Sequence, residues 1–139
     1  MRNKLLFLLC ALFACFGSAK ADIWINSAYF PDSGFRTWVQ KHFDKPNGAK
    51  LTDEELASVK EIISWKDGFH VVENLKGIEY FTALTSLDCY SNNLTLLDVS
   101  KNTALTSLYC KNNPLTSLDL NATAVTDLSA NTTLKEYAY

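Results

Sequence analysis

Apolar positions along the chain change rhythm once, near residue 60. Before that point they have helical spacing: from Asp32, a candidate N-cap, Phe35, Trp38, Val39 and Phe43 recur at steps of three and four and form one stripe. The preceding Ile23 and Ile25 alternate and run into the turn-forming cluster Pro31, Asp32, Ser33, Gly34. A second helix is predicted from Thr52, which can cap the N–H of Glu55 while Glu55 reaches back, with Leu51 packing on Leu56 as a staple. Asp53 and Glu54 fall in its first turn, where the helix dipole favours negative charge, and the helix is expected to end near Val59 or Lys60. Beyond it, Val59, Ile62, Leu75, Ile78, Phe81 and Leu84 move to the three-residue steps of a coil wound around a core.

Shifting the chain by 21 residues lays Leu84 on Leu105, Leu87 on Leu108, Cys89 on Cys110, Asn92 on Asn113, Leu94 on Leu115 and Leu97 on Leu118. A weaker copy follows, in which DVSKNTALTSLYC from Asp98 matches DLSANTTLKEYAY from Asp127. Each unit reads L-x-x-L-x-C/L-x-x-N-x-L, one short strand flanked by turns. No unit can bury its inner face alone, so about three must stack. Asn92 and Asn113 sit among core positions, where an amide is tolerable only when hydrogen-bonded, so they are expected to form a ladder closing the backbone at each bend. The predicted fold is an α+β solenoid with short parallel strands, preceded by an N-terminal helix-loop-helix.

These units, LTSLDCYSNNLTLLDVSKNTA and LTSLYCKNNPLTSLDLNATA, resemble the 21-residue leucine-rich repeats of bacterial secreted and cell-surface proteins, internalin-like in form and of a kind common in Bacteroidetes and gut Firmicutes. The stretch before them resembles the helical N-terminal cap of such proteins, from Phe30-Pro31-Asp32 through Leu51-Thr52-Asp53-Glu54-Glu55 to Leu75-Lys76-Gly77-Ile78. The resemblance implies a binding scaffold and leaves the ligand open.

The first residues, MRNKLLFLLCALFACFGSAKA, have the basic start, apolar run and small-residue end of an export signal cleaved after Ala21. The alternative is a lipoprotein box ending at Cys15. The apolar run is too short to span a bilayer. The domain reading is therefore 1–21 signal peptide, 22–60 helical cap, and 61–139 solenoid of about three coils, the last incomplete. The leader holds three of the 13 lysines and arginines and none of the 15 acids, leaving a formal charge of −5 after cleavage. An acidic, exported chain is a poor match for nucleic acid.

Candidate chemistry narrows quickly. Cys89 and Cys110 fall at one inward position of neighbouring coils, about 4.8 Å apart along the stack. Their parallel Cβ vectors disfavour a disulfide dihedral near 90°, and two thiols alone are too few for zinc. Core packing is the reading, against a disulfide or redox pair. Residues Asp44 to Glu55 resemble a calcium-binding EF-hand loop, but ligand positions 3 and 5 are Pro46 and Gly48, so no metal is expected. His42 and His70 have no nucleophile or ligand at motif spacing, and no set of residues fills the catalytic roles. The expectation is a protein without a cofactor and without an enzymatic activity.

The outward positions of the repeat strands are Ser86, Asp88 and Tyr90, then Ser107, Tyr109 and Lys111. Stacking should set Asp88 beside Tyr109 and Tyr90 beside Lys111, a tyrosine-and-charge surface of the kind that binds partners. The expected function is non-catalytic recognition of a protein or glycan by this concave face, with Asp88, Tyr90, Tyr109 and Lys111 as its site, in a secreted or surface-held protein. The alternative is assembly: the chain stops half a unit in, with Leu134 and Tyr137 at inward-type positions, an uncapped edge that invites self-association.

Overall fold

The computed structural model of the protein describes residues 21–68, 71–120 and 123–125, without the side chain of Trp65. Helix α1 (Ser33–His42) begins where Asp32 Oδ1 accepts from Phe35 N at 2.9 Å. The other oxygen of the same carboxylate accepts from Glu73 N at 2.9 Å, tying the helix start to a segment 41 residues downstream. Helix α2 (Asp53–Ser58) has the full capping box: Thr52 Oγ1 accepts from Glu55 N at 3.2 Å, and Glu55 Oε2 from Thr52 N at 2.8 Å. Leu51 and Leu56 are both buried, as a staple requires. Strand β1 (Ile23–Trp24) pairs antiparallel with β2 (Lys50–Leu51), so the alternation at Ile23 and Ile25 fastens the N-terminal segment to the loop between the helices.

The solenoid follows. Strands β3 (Glu61–Ile63), β4 (Ser86–Asp88) and β6 (Ser107–Tyr109) form one parallel sheet, aligned Ile62, Leu87, Leu108 and turning those three side chains into the core. A four-residue helix, α3 (Ser64–Asp67), leaves β3 and ends at Gly68, which takes a left-handed φ of 75°. Where the pattern predicts one strand per coil, the structure has two. Strands β5 (Leu96–Asp98) and β7 (Ser117–Asp119) pair in parallel on the return side. The reason is in the ladder: the 21-residue period superposes the return segments as faithfully as the outgoing ones, so their main chains can bond between coils.

Side chains reinforce the stacking at every bend. Thr85 Oγ1 donates to Lys60 O at 2.9 Å, Thr106 Oγ1 to Thr85 O at 3.2 Å, and Thr116 Oγ1 to Thr95 O at 3.0 Å. Asn92 accepts from Val72 N at 3.0 Å and donates to Cys89 O at 3.1 Å. Asn113 reaches across coils, accepting from Leu94 N at 3.0 Å and donating to both Cys89 O and Cys110 O at 2.9 Å. A third amide escapes the L-x-x-L-x-C/L-x-x-N-x-L pattern. Asn102 is fully buried and its Nδ2 donates to Ile78 O at 2.9 Å and Phe81 O at 3.0 Å, both in the coil before it. Its Oδ1 meets no donor among the described residues, so what this side chain contributes lies in those two donated bonds.

Twenty-one residues before Asn102 stands Phe81, and the exchange marks where the helices meet the coils. The Phe81 ring lies edge-on to Trp38 at 5.9 Å and to Phe35 at 6.3 Å, stacked on Phe43 at 6.5 Å, and tilted against Phe30 at 6.3 Å. The aromatic stripe of α1 thus converges on Phe81 of the first coil. Just upstream, Gly77 turns the chain with φ 106° against Phe30, and its N–H donates to Glu79 Oε2 at 2.7 Å.

Two substitutions test this junction. Gly77→Ala would force a left-handed φ on alanine and place its Cβ 2.8 Å from Tyr29 O and within the Phe30 ring. A loss of about 2–4 kcal/mol in urea unfolding followed by tryptophan fluorescence is expected. Asn102→Ala removes one of two donors from each of two buried carbonyls, for which we expect a loss of about 2 kcal/mol in the same assay.

Candidate functional site

The parallel sheet presents its outward side chains in columns set by register. Glu61, Ser86 and Ser107 make one column, and Ile63, Asp88 and Tyr109 the next. Tyr109 is thus the direct neighbour of Asp88 on adjoining strands. Beyond the strand ends, Cys89 N donates to Tyr109 O at 2.8 Å and Ser91 N to Lys111 O at 3.0 Å, carrying the alignment through Tyr90 and Lys111. Tyr90 and Tyr109 are 45% and 48% exposed, which is high for rings on a sheet face and leaves both available to a partner.

The turn after the strand fixes how these groups are held. Asp88 Oδ1 accepts from Tyr90 N at 2.9 Å, an Asx turn that bends the chain immediately after β4. Ser91 and Asn112 then take the left-handed conformation, with φ of 53° and 60°. Asn112 Nδ2 donates to the Tyr90 hydroxyl at 3.0 Å and to Ser91 Oγ at 3.3 Å, so the polar partner of Tyr90 across the coils is Asn112. Register sets Tyr90 beside Lys111 as the sequence predicts, and what the sequence reading missed is the added bond from Asn112 to the Tyr90 hydroxyl. Its only signal was an exposed asparagine beside the ladder asparagine, which repetition alone does not separate from turn chemistry.

The other candidates are dispersed. His42 is exposed at the end of α1 and stacks on Trp38 at 4.8 Å; His70 lies outside the described residues, as do Leu134 and Tyr137. Asp44 and Glu55 bracket the loop between the helices, and Glu55 is engaged by Lys45. Among the described residues no group of three or more histidines, cysteines or acids could hold a metal ion, and no helix is long and apolar enough to cross a membrane. On the return side, a groove of about 590 Å³ runs between Leu75, Ile78, Leu96 and Leu97, well away from the tyrosines, with Leu96 55% exposed.

Cys89 and Cys110 are free thiols, both buried in the core beneath the tyrosine columns. Burial pushes the Cys89 thiol well above its usual range, with the Cys110 and Asp88 charges adding to the effect. Burial raises Cys110 to about 12. A buried thiol raised this far forms little thiolate, the form that attacks electrophiles or binds metal, near neutral pH. Iodoacetamide at pH 8 should therefore leave Cys89 and Cys110 unmodified in the native protein and alkylate both in denaturant, read by peptide mass mapping. Native labelling of either one would contradict a sealed core.

No protein-family model matches the chain. Internalin J of Listeria monocytogenes serotype 4b (strain F2365) is 36% identical over 74 residues, which are 53% of this chain and 8% of that protein. Among solved structures, the functional domain of InlJ from Listeria monocytogenes, which includes a cysteine ladder, superposes with a TM-score of 0.62 at 35% identity. That match covers 76% of this chain and 23% of the solved one. The internalin inlF of Listeria monocytogenes str. 4b F2365 gives a TM-score of 0.56 at 25% identity, covering 86% of this chain and 38% of that structure. The chain thus spans only a small part of the proteins it is similar to, and within that span its architecture is a leucine-rich repeat solenoid of internalin-like form.

Proposed function

We propose that the protein is a non-catalytic binding module that recognises a protein partner through the concave sheet. Asp88, Tyr90, Tyr109 and Lys111 make the contact, and Asn112 holds the Tyr90 ring in place. The observation that carries this reading is the pair of half-exposed tyrosines on adjoining coils, one beside a carboxylate, on a framework braced by inter-coil hydrogen bonds. Tyrosine offers large contact area with few rotors to freeze, and a rigid backbone lowers the entropy lost on docking. The similarity to internalins supports protein rather than glycan as the partner class. In this reading residues 1–21 direct export and are removed after Ala21, residues 22–60 cap the solenoid, residues 61–139 form it, and the protein works outside the cell. The cap role rests on the convergence of α1 aromatics on Phe81, which covers the open end of the first coil.

Biolayer interferometry against a panel of host and bacterial surface proteins, with a glycan array in parallel, tests this. A protein ligand should lose at least about tenfold in affinity with Tyr90→Ala/Tyr109→Ala, while Lys101→Ala on the return side leaves binding unchanged. Unchanged binding by a folded double variant would remove the concave face from consideration, and a glycan hit lost with the same variant would change the partner class.

A further inference from the structure

The loop joining α1 to α2 is built around a positive charge. Lys45 Nζ lies 2.7 Å from Glu55 Oε1, 2.7 Å from Glu55 Oε2, and 2.9 Å from Lys50 O. Three oxygens of two residues thus converge on one ammonium, with both side chains about three-quarters shielded from solvent. Each acceptor is fixed by something else. The Glu55 carboxylate is held by the capping box at the start of α2, and the Lys50 main chain by pairing of β2 with β1.

Numbered from Asp44, Lys50 is position 7 and Glu55 position 12. A calcium-binding helix–loop–helix takes a main-chain carbonyl from position 7 and both carboxylate oxygens from position 12, at 2.3–2.6 Å from the metal. The distances to Nζ exceed these by only a few tenths of an ångström. The loop departs from that pattern elsewhere, with Pro46 and Gly48 where ligands 3 and 5 belong and glycine one position early.

We propose that the Lys45 ammonium is the resident cation of this loop, seated where a divalent metal sits in a calcium-binding helix–loop–helix, and that removing it uncovers a latent divalent-cation site. Lys45 makes the helical segment independent of metal, because the charge that closes the loop is covalently part of the chain. Hydrogen bonding to Lys45, followed by that to Thr52, holds the Glu55 carboxyl below its ordinary value, as a carboxylate already paired with a cation must be. The inference is separate from the concave-face reading and stands or falls without it.

Thermal melting with calcium or EDTA provides the test. The wild-type protein should melt at the same temperature in EDTA and in about 5 mM calcium, a concentration that saturates weak extracellular sites. Lys45→Ala should melt several degrees lower in EDTA and recover most of that loss with calcium, while Lys45→Ala/Glu55→Gln falls and does not recover. If the alanine variant is unfolded in EDTA, refolding by calcium supports the proposal; if it stays unfolded, Lys45→Gln, which retains most of the stem, is put through the same comparison. Calcium failing to raise either single variant, or raising the wild type by as much, would overturn it.

Discussion

A chain that coils around an apolar core must turn inside that core, and each turn leaves main-chain N–H and C=O groups facing no water. An unpaired buried group of this kind costs about 1–3 kcal/mol, so the solenoid depends on side chains that can pair them. Asparagine suits the task because one short side chain carries both donor and acceptor. Asn92 and Asn113 close the bend after the concave strands, and Asn102 closes the return. Leucine packing supplies the driving force for burial, but these amides decide that the buried chain takes this path. The concave face inherits its order from them: Asn113 bonds Cys89 O and Cys110 O next to the positions of Tyr90 and Lys111.

Much of this was readable in the sequence because it depends on local or strictly periodic chemistry. The Asp32 cap, the Thr52–Glu55 box and the inward leucines follow from spacing alone. The 21-residue register also anticipated Asp88 beside Tyr109, since parallel stacking without slippage leaves no other partner. What escaped has a common cause. The β5–β7 sheet is made of main-chain bonds between coils, and Thr95-Leu96-Leu97-Asp98 carries no alternation to distinguish it from a turn. Asn102 recurs as Asn131 in the weaker copy, yet its partners are carbonyls more than twenty residues away, which no spacing rule addresses. Nothing in the spacing of Lys45 shows that its long stem folds back onto Glu55 and the Lys50 carbonyl.

Two successive coils solve different problems with one structural position. At residue 81 an aromatic ring gathers Phe30, Phe35, Trp38 and Phe43 from the helical segment. At residue 102 the same place holds an amide, because there the preceding coil offers carbonyls. The helices and the repeats are therefore joined through side-chain packing on one side of Phe81 and main-chain recognition on the other. Gly77 permits the close approach on which the first of these relies.

The amide of Asn102 binds main-chain carbonyls of the coil before it, at a position where the coils on either side carry Phe81 and Thr123. A gene encoding such a protein can duplicate or delete whole 21-residue units downstream of Phe81 without altering the helical segment. The number of coils is then adjustable by recombination, while the columns of tyrosine and charge remain free to drift one residue at a time. Coil number and surface chemistry can then change independently, because the contact Asn102 makes with the coil before it involves no side chain displayed on the sheet.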